Sequence, residues 1–129
     1  MLESNAFDVA IGDVDKDGVV EIVTAGYQNT TSPEIGLKGQ LCIWNITESN
    51  FVLEQSMEWA SGVPTEWHGV SIVDVDNDDK IEIIAAGYTN DTRLNQYDAM
   101  LTIFSWNGSV LEWEKVIFGT PSAELTLTR

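Results

Sequence analysis

The sequence DVDKDGVVEIVTAGY at residues 13–27 returns 61 residues later as DVDNDDKIEIIAAGY at residues 74–88. Each copy opens with carboxylates at alternate positions, carries a further carboxylate eight residues after the first, and continues into a segment rich in β-branched residues. Like charges this close repel one another, and a chain does not usually gather them in a tight turn unless a cation is held there. Both copies therefore predict a cation-binding loop that leads into a strand.

Calcium suits such a loop because it takes about six to eight oxygen ligands, which alternating side chains and a backbone carbonyl can supply. We expect one Ca²⁺ in each loop, and hence two per chain, with these ligands: the side chains of Asp13, Asp15, Asp17 and Glu21 with the carbonyl of Val19, and the side chains of Asp74, Asp76, Asp78 and Glu82 with the carbonyl of Lys80. Gly18 stands where the backbone needs a positive φ. Asp79 replaces this glycine in the second loop, so we expect the second site to be weaker or more strained.

Two other interpretations of the loops are open. One is a pair of acidic, solvated β-turns, since Asp and Gly are turn residues in any case; the occurrence of the whole pattern twice speaks against it. The other is an EF-hand, which also begins with Asp at alternate positions but closes with a more distant Glu and is flanked by helices. Here Glu21 leads directly into Ile22-Val23-Thr24. Such flanks favour strands.

Segments that alternate between apolar and polar residues repeat together with the loops, and they predict four strands in each half of the chain. The predicted strands cover residues 8–13, 21–27, 40–45 and 51–59 in the first half and 69–74, 82–88, 100–106 and 110–118 in the second. We expect the polar connections at 28–39 and 89–99 to project as loops. The tail at 122–129 alternates again, which predicts another strand, open to pairing with an adjacent chain. Since no segment is typical of a helix, we predict an all-β fold.

The segment FDVAIGDVDKDGVVEI at residues 7–22 resembles the FG-GAP repeat, the calcium-loop blade of integrin α-subunit β-propellers and of many VCBS-type extracellular proteins. The second copy matches less closely because His68 stands where the first copy has Phe7. The resemblance implies two four-stranded propeller blades, one at residues 1–62 and one, with the C-terminal strand, at residues 63–129. A propeller needs about four to eight blades to close, so we expect a homo-oligomer of about three or four chains that completes a ring of about six or eight blades.

The charge of the chain excludes several classes of partner. A formal net charge of −15 repels nucleic acid and anionic membrane surfaces. No run approaches the roughly 20 apolar residues of a membrane span, so we expect no membrane insertion. Four Asn-X-Ser/Thr patterns, at Asn29, Asn45, Asn90 and Asn107, agree with an extracellular or cell-surface location, which also supplies millimolar calcium. The start of the chain is no signal peptide, which is consistent with a piece of a larger secreted protein.

The aromatic residues and the one histidine are the other candidates for a functional site. Trp44 and Trp106 end equivalent strands, where they fit either packing between blades or a sugar-stacking platform. Trp67 either packs in the core or faces a ligand near a central channel. His68 has one local acid/base partner, Glu66, and no constellation of nucleophile, base and electrophile assembles by spacing.

These features predict a non-enzymatic module that recognises a protein or a glycan outside the cell, as an adhesion or carbohydrate-binding protein does. Two alternatives stay open. The chain could be the propeller scaffold of a polysaccharide lyase or hydrolase whose active site lies in other blades. It could also be a repeat fragment that binds no ligand and only assembles with itself.

Overall fold

The computed structural model describes residues 3–30, 36–59, 65–91, 96–119 and 126–128. Within these ranges the chain forms nine β-strands and no helix, which confirms the all-β prediction. The strands are β1 (Glu3–Gly12), β2 (Glu21–Thr30), β3 (Gly36–Thr47), β4 (Asn50–Trp59), β5 (Thr65–Val73), β6 (Glu82–Asp91), β7 (Gln96–Trp106), β8 (Leu111–Gly119) and β9 (Thr126–Thr128).

The strands form two antiparallel sheets in which neighbours along the chain are neighbours in space. Sheet 1 has the order β1-β2-β3-β4, and sheet 2 has the order β5-β6-β7-β8 with the short β9 at its edge. Each four-stranded meander is blade-like, and the two halves of the sequence thus fold in the same way. The alternation of apolar and polar residues explains why strands form, because it gives each sheet one face that can pack on the other.

The structure differs from the predicted strands mainly at their ends. The connections expected to be long loops are largely strand: β2 continues to Thr30 and β3 begins at Gly36, while β6 continues to Asp91 and β7 begins at Gln96. Polar side chains do not end a strand pair as long as the backbone groups stay hydrogen-bonded across it, as between Tyr27 and Gly39. Only residues 31–35 and 92–95 of these connections lie outside the described ranges.

The C-terminal strand pairs within its own chain. β9 lies antiparallel to β8, with Ile117 opposite Leu127, so it covers part of the edge of sheet 2. Pairing of the tail with an adjacent chain stays a prediction, since one edge of the tail strand is already used within the chain at residues 126–128. Covering an edge strand in this way removes a template for unwanted pairing. The rest of the predicted tail strand lies outside the described residues.

The core lies between the two sheets. Sheet 1 contributes Val23, Ala25, Leu41 and Ile43, and sheet 2 contributes Trp67, Ile83, Ala85, Met100, Phe104 and Val116. Trp67 is fully buried and its ring meets that of Phe104 edge to face, with centroids 5.5 Å apart. A ligand-facing role is therefore wrong for Trp67. Asp8 adds a polar tie, since its Oδ2 accepts a hydrogen bond from the backbone N of Val70 at 2.9 Å.

The repeat extends to irregularities of the strands. The register shifts between Ala6 and Asp8 in β1 and at the equivalent place, between Trp67 and Gly69, in β5. Beside each bulge a glycine of the next strand lets the backbones approach closely. A Cβ at Gly26 would lie 1.8 Å from the carbonyl oxygen of Asn5. Only glycine fits there.

Candidate metal centres

The two acidic loops connect the first and second strands of each sheet. The first loop follows Gly12, the last residue of β1, and ends at Glu21, the first residue of β2. The second occupies the same place between β5 and Glu82 at the start of β6. Each loop is thus fixed at both ends by a strand pair, and its closing carboxylate projects from a strand rather than from a flexible segment.

All eight predicted carboxylates are gathered into two groups. In each group one oxygen atom of every residue lies within 4.8 Å of the others, and either group could hold a metal ion. The groups are Asp13, Asp15, Asp17 and Glu21 in the first loop, and Asp74, Asp76, Asp78 and Glu82 in the second. The spacing read from the sequence therefore identified residues that the fold brings together.

Hydrogen bonds from the backbone hold the carboxylates of the first loop in place. Asp13 Oδ2 accepts a hydrogen bond from the N of Gly18 at 2.8 Å, and Asp17 Oδ1 accepts one from the N of Val19 at 2.8 Å. The N of Asp17 donates to Asp13 Oδ1 at 3.1 Å and lies 3.2 Å from Asp15 Oδ1. Asp residues commonly shape turns in this way.

The second loop repeats these contacts almost atom for atom. Asp74 Oδ2 accepts from the N of Asp79 at 2.9 Å, and Asp78 Oδ1 accepts from the N of Lys80 at 2.9 Å. The N of Asp78 donates to Asp74 Oδ1 at 3.2 Å. The carbonyls of Val19 and Lys80, expected as backbone ligands, follow these anchored amides, and their role stays a prediction.

Two residues in each loop have left-handed backbone conformations. Gly18 has φ 89° and Asp79 has φ 72°, as expected from the sequence. Lys16 (φ 59°) and Asn77 (φ 65°) form a second such position, which the sequence analysis missed. The asparagine at position 77 could have predicted this conformation, because Asn enters the left-handed region more readily than most residues. The lysine at position 16 could not.

The closing glutamates are the most buried members of the two groups. Glu21 and Glu82 are only 1% and 3% exposed, and their Oε1 atoms accept hydrogen bonds from the N of Val14 and the N of Val75, both at 2.8 Å. Burial raises the pKa of Glu21 to about 7, and repulsion from Asp15 adds to the shift. Burial also raises the pKa of Glu82.

This arrangement fits a bound divalent cation. A buried carboxylate beside three others is costly without a positive charge, and a cation among them would offset that cost. The donor atoms are all carboxylate oxygens, which suit a hard cation such as Ca²⁺ or Mg²⁺ and not the metals that prefer imidazole or thiolate. Burial, and then a hydrogen bond with Asp17, raises the pKa of Asp15.

The two loops differ in what covers them. Sheet 2 lies against the first loop, where a Cβ at Gly108 in the β7–β8 turn would come within 2.9 Å of Asp15 Oδ2. Lys16 of the first loop reaches across to Asp79 of the second, with Nζ 3.3 Å from Oδ1 and a hydrogen bond to the carbonyl oxygen. A cleft of about 410 Å³ lies between the loops, with Trp106 in its wall. Sequence spacing gave no sign of these contacts.

His68 lies in a row of aromatic rings that crosses both sheets. Its ring stacks on Phe7, with centroids 4.1 Å apart, and on Tyr88 at 5.4 Å. Glu66 accepts a hydrogen bond from the Tyr88 hydroxyl at 2.9 Å and lies 3.1 Å from His68 Nε2. Glu66, the one local acid/base partner of His68, therefore contacts it, and the His68 ring forms part of the packing between β1 and β5.

None of the protein-family models, curated proteins and solved structures compared with the chain matches it. The resemblance to the FG-GAP repeat thus rests on the loop residues and on the strands that flank them. The described segments also contain no helix with the length and apolar character that crossing a membrane requires.

Proposed function

We propose that this chain is a calcium-stabilised pair of β-propeller blades of the FG-GAP or VCBS kind, which acts by binding a partner and not by catalysis. The observation that carries the proposal is the pair of four-carboxylate groups, each closed by a buried glutamate at the start of a strand. Two loops with the same hydrogen bonds at the same place in two sheets are best explained by the same cation.

Calcium suits these loops better than other divalent cations. Mg²⁺ keeps several of its waters and is usually bound through one or two carboxylates, whereas Ca²⁺ accepts many protein oxygens in a flexible geometry. One Ca²⁺ in each loop would neutralise much of the clustered charge. Because the unfolded chain cannot gather these carboxylates, the ion would bind the folded loop selectively and stabilise it.

The two blades would belong to a larger ring. Two blades alone leave open sheet faces, and propellers close with about four to eight blades; about three or four chains would give six or eight. The calcium concentration that such a module needs is found outside the cell, which supports an extracellular or cell-surface location. The Asn-X-Ser/Thr patterns agree with that location.

The ligand would be a protein or a glycan. It would bind on the side of the blades that carries the β2–β3 and β6–β7 connections, or in a groove between blades such as the cleft beside Trp106. Nucleic acid is a poor candidate because the net charge of −15 would repel it. The ring of His68 is packed between Phe7 and Tyr88, which fits a structural role for this residue.

Thermal unfolding tests the calcium proposal. We expect millimolar CaCl₂ to raise the Tm of the metal-free chain by more than the same concentration of MgCl₂, because only the native loops bind the ion. Circular dichroism in the presence of EGTA provides the metal-free reference. An identical Tm with calcium, magnesium and EGTA would rule out these loops as calcium sites.

A further inference from the structure

The two sheets leave different faces open. We call the face of sheet 1 that is turned away from sheet 2 the leading face; it carries Val9, Ile11, Phe51 and Leu53. We call the face of sheet 2 that is turned away from sheet 1 the trailing face; it carries Val73, Ile84 and Ala86. Both assignments follow from strand pairing, because residues opposite one another in an antiparallel pair share a face.

Residues of the leading face have covered counterparts in the other half of the chain. Val9 and Ile11 are 53% and 66% exposed. The residues 61 positions later, Val70 and Ile72, pack against the core between the sheets. The leading face of sheet 1 is therefore the uncovered equivalent of the face that sheet 2 buries against sheet 1.

For the trailing face, the residues of the second half of the chain are exposed and their counterparts in the first half are buried. Val14 is 2% exposed because sheet 2 covers it, whereas its counterpart Val75 is 47% exposed. Ala25 is buried in the core, and its counterpart Ala86 is exposed. The trailing face of sheet 2 is thus the equivalent of the face that sheet 1 buries against sheet 2.

The leading face is also unusually apolar for a surface. Phe51 is 66% exposed and Leu53 is 47% exposed, on the same face as Val9 and Ile11. Exposed apolar patches of this kind mark interaction surfaces. The complementary surface is present on the same molecule, because the chain already buries one copy of this contact between its own sheets.

We propose that copies of this chain associate head to tail, with the leading face of one copy packed on the trailing face of the next in the way that sheet 2 packs on sheet 1. The inference rests on the proposed ring and names its interface. Because the contact joins two different faces, an open assembly has a free leading face at one end and a free trailing face at the other. Further copies can therefore be added until the ring closes. The second acidic loop then lies at the contact between chains, as the first lies against sheet 2.

Single charges on exposed residues test this contact without disturbing the core. Ile11→Glu changes the leading face, and Ala86→Glu changes the trailing face. Val52→Glu is the matched control: it adds the same charge at a residue that is 46% exposed but lies opposite Asn45, on the face of sheet 1 that is turned towards sheet 2. Phe51→Glu and Val73→Glu repeat the test at a second position on each face if either first variant fails to fold.

Light scattering in calcium reads the result. We expect the unchanged chain and Val52→Glu to have about three or four times the 14.3 kDa mass of one chain, and Ile11→Glu and Ala86→Glu to be single chains. Mixing the two single-chain variants should give a complex of one copy of each, because each retains the face that the other has lost. No growth beyond two chains is expected.

Two results would overturn the proposal. If the leading face of one copy instead packs on the leading face of another, the Ala86→Glu variant stays associated. Mixing it with the Ile11→Glu variant then forms no new complex. If the unchanged chain is a single chain in calcium, neither face is an interface. The calcium proposal is tested separately by the Tm of the single-chain Ile11→Glu variant, which should rise with calcium. A missing rise there would contradict the calcium sites, whatever the mixture does.

Discussion

Glu21 connects the fold to the first group of carboxylates. As the first residue of β2 it is held by strand pairing, and its side chain closes the first loop by accepting the hydrogen bond from the N of Val14. Spacing alone predicted that Glu21 joins this group, since a carboxylate eight residues after Asp13 can return to the same loop. Spacing did not predict its burial, which recurs at Glu82 in the second loop.

The raised pKa of Glu21 makes the stability of the metal-free chain depend on pH. The folded state has a pKa of about 7 against an ordinary value of 4.5, so between these values it binds more protons than the unfolded state. The free energy of unfolding should therefore fall as pH rises from 5 to 7, by about 2 kcal/mol. Urea unfolding of the metal-free chain at both pH values measures this.

Calcium and a neutral side chain provide the controls for that pH dependence. Saturating calcium should remove most of it, because the ion stabilises the charged carboxylate. Glu21→Gln should reduce it in the metal-free chain, where the raised pKa of Glu82 leaves a smaller dependence of the same sign. A stability that rises from pH 5 to pH 7 without metal would contradict the assignment of a strained, buried carboxylate.

Position 79 should explain a difference between the two loops. Asp79 adopts φ 72°, which costs most residues about 1 kcal/mol, whereas Gly18 adopts φ 89° at little cost. Asp79→Gly should therefore stabilise the chain in calcium by up to about 1 kcal/mol, and the lost ion pair with Lys16 should matter little because Asp79 is almost fully exposed. Gly18→Asp should destabilise it by a similar amount. Chemical unfolding in calcium measures the stability of both variants. An Asp79→Gly variant that is less stable than the unchanged chain, or a Gly18→Asp variant that is more stable, would contradict backbone strain at position 79.

At the scale of elements, the sequence predicted the number and order of the strands but not their lengths. Alternation located all eight strands of the two meanders, because a half-buried strand needs an apolar residue at every second position. The long β2–β3 and β6–β7 hairpins were missed, since polar residues can continue a strand pair at a solvated end. The bulges were missed as well, although Gly26 and Gly87 recur at the same place in both repeats and could have marked them.

The bulge in each first strand depends on the facing glycine. A Cβ at Gly26 would lie 1.8 Å from the carbonyl oxygen of Asn5, so Gly26→Ala should force β1 and β2 apart and lower the free energy of unfolding by about 3 kcal/mol. Gly87→Ala should do the same to β5 and β6. Gly69→Ala is the control, because its Cβ would meet no atom closer than 3.9 Å. Equal stability of the three variants would contradict the close approach of the Gly26 and Gly87 backbones to the preceding strands.

For the whole molecule, the sequence shows which residues share a face but not which face is covered. Val14 and Val75 are valines at equivalent positions of the two repeats, yet Val14 is 2% exposed and Val75 is 47% exposed. Among the described residues, sheet 2 lies over the side of sheet 1 that contains Val14, whereas no sheet lies over Val75. The same asymmetry explains why the contacts of the first loop with Gly108 and of Lys16 with Asp79 could not be predicted. The carboxylates of one loop lie close together in sequence, so their spacing can predict that they meet. The contacts of Gly108 and Lys16 join residues from different halves of the chain, and spacing does not relate such residues.

Counting the calcium ions on each chain by native mass spectrometry tests the central claim most directly. We predict two Ca²⁺ on the unchanged chain, one on Asp15→Ala, one on Asp76→Ala, and none on the variant with both substitutions, because each loop loses a ligand that its other oxygens cannot replace. All four proteins should keep the same strand signal in circular dichroism. An unchanged chain without bound calcium, or a double variant that still carries two ions, would contradict the account.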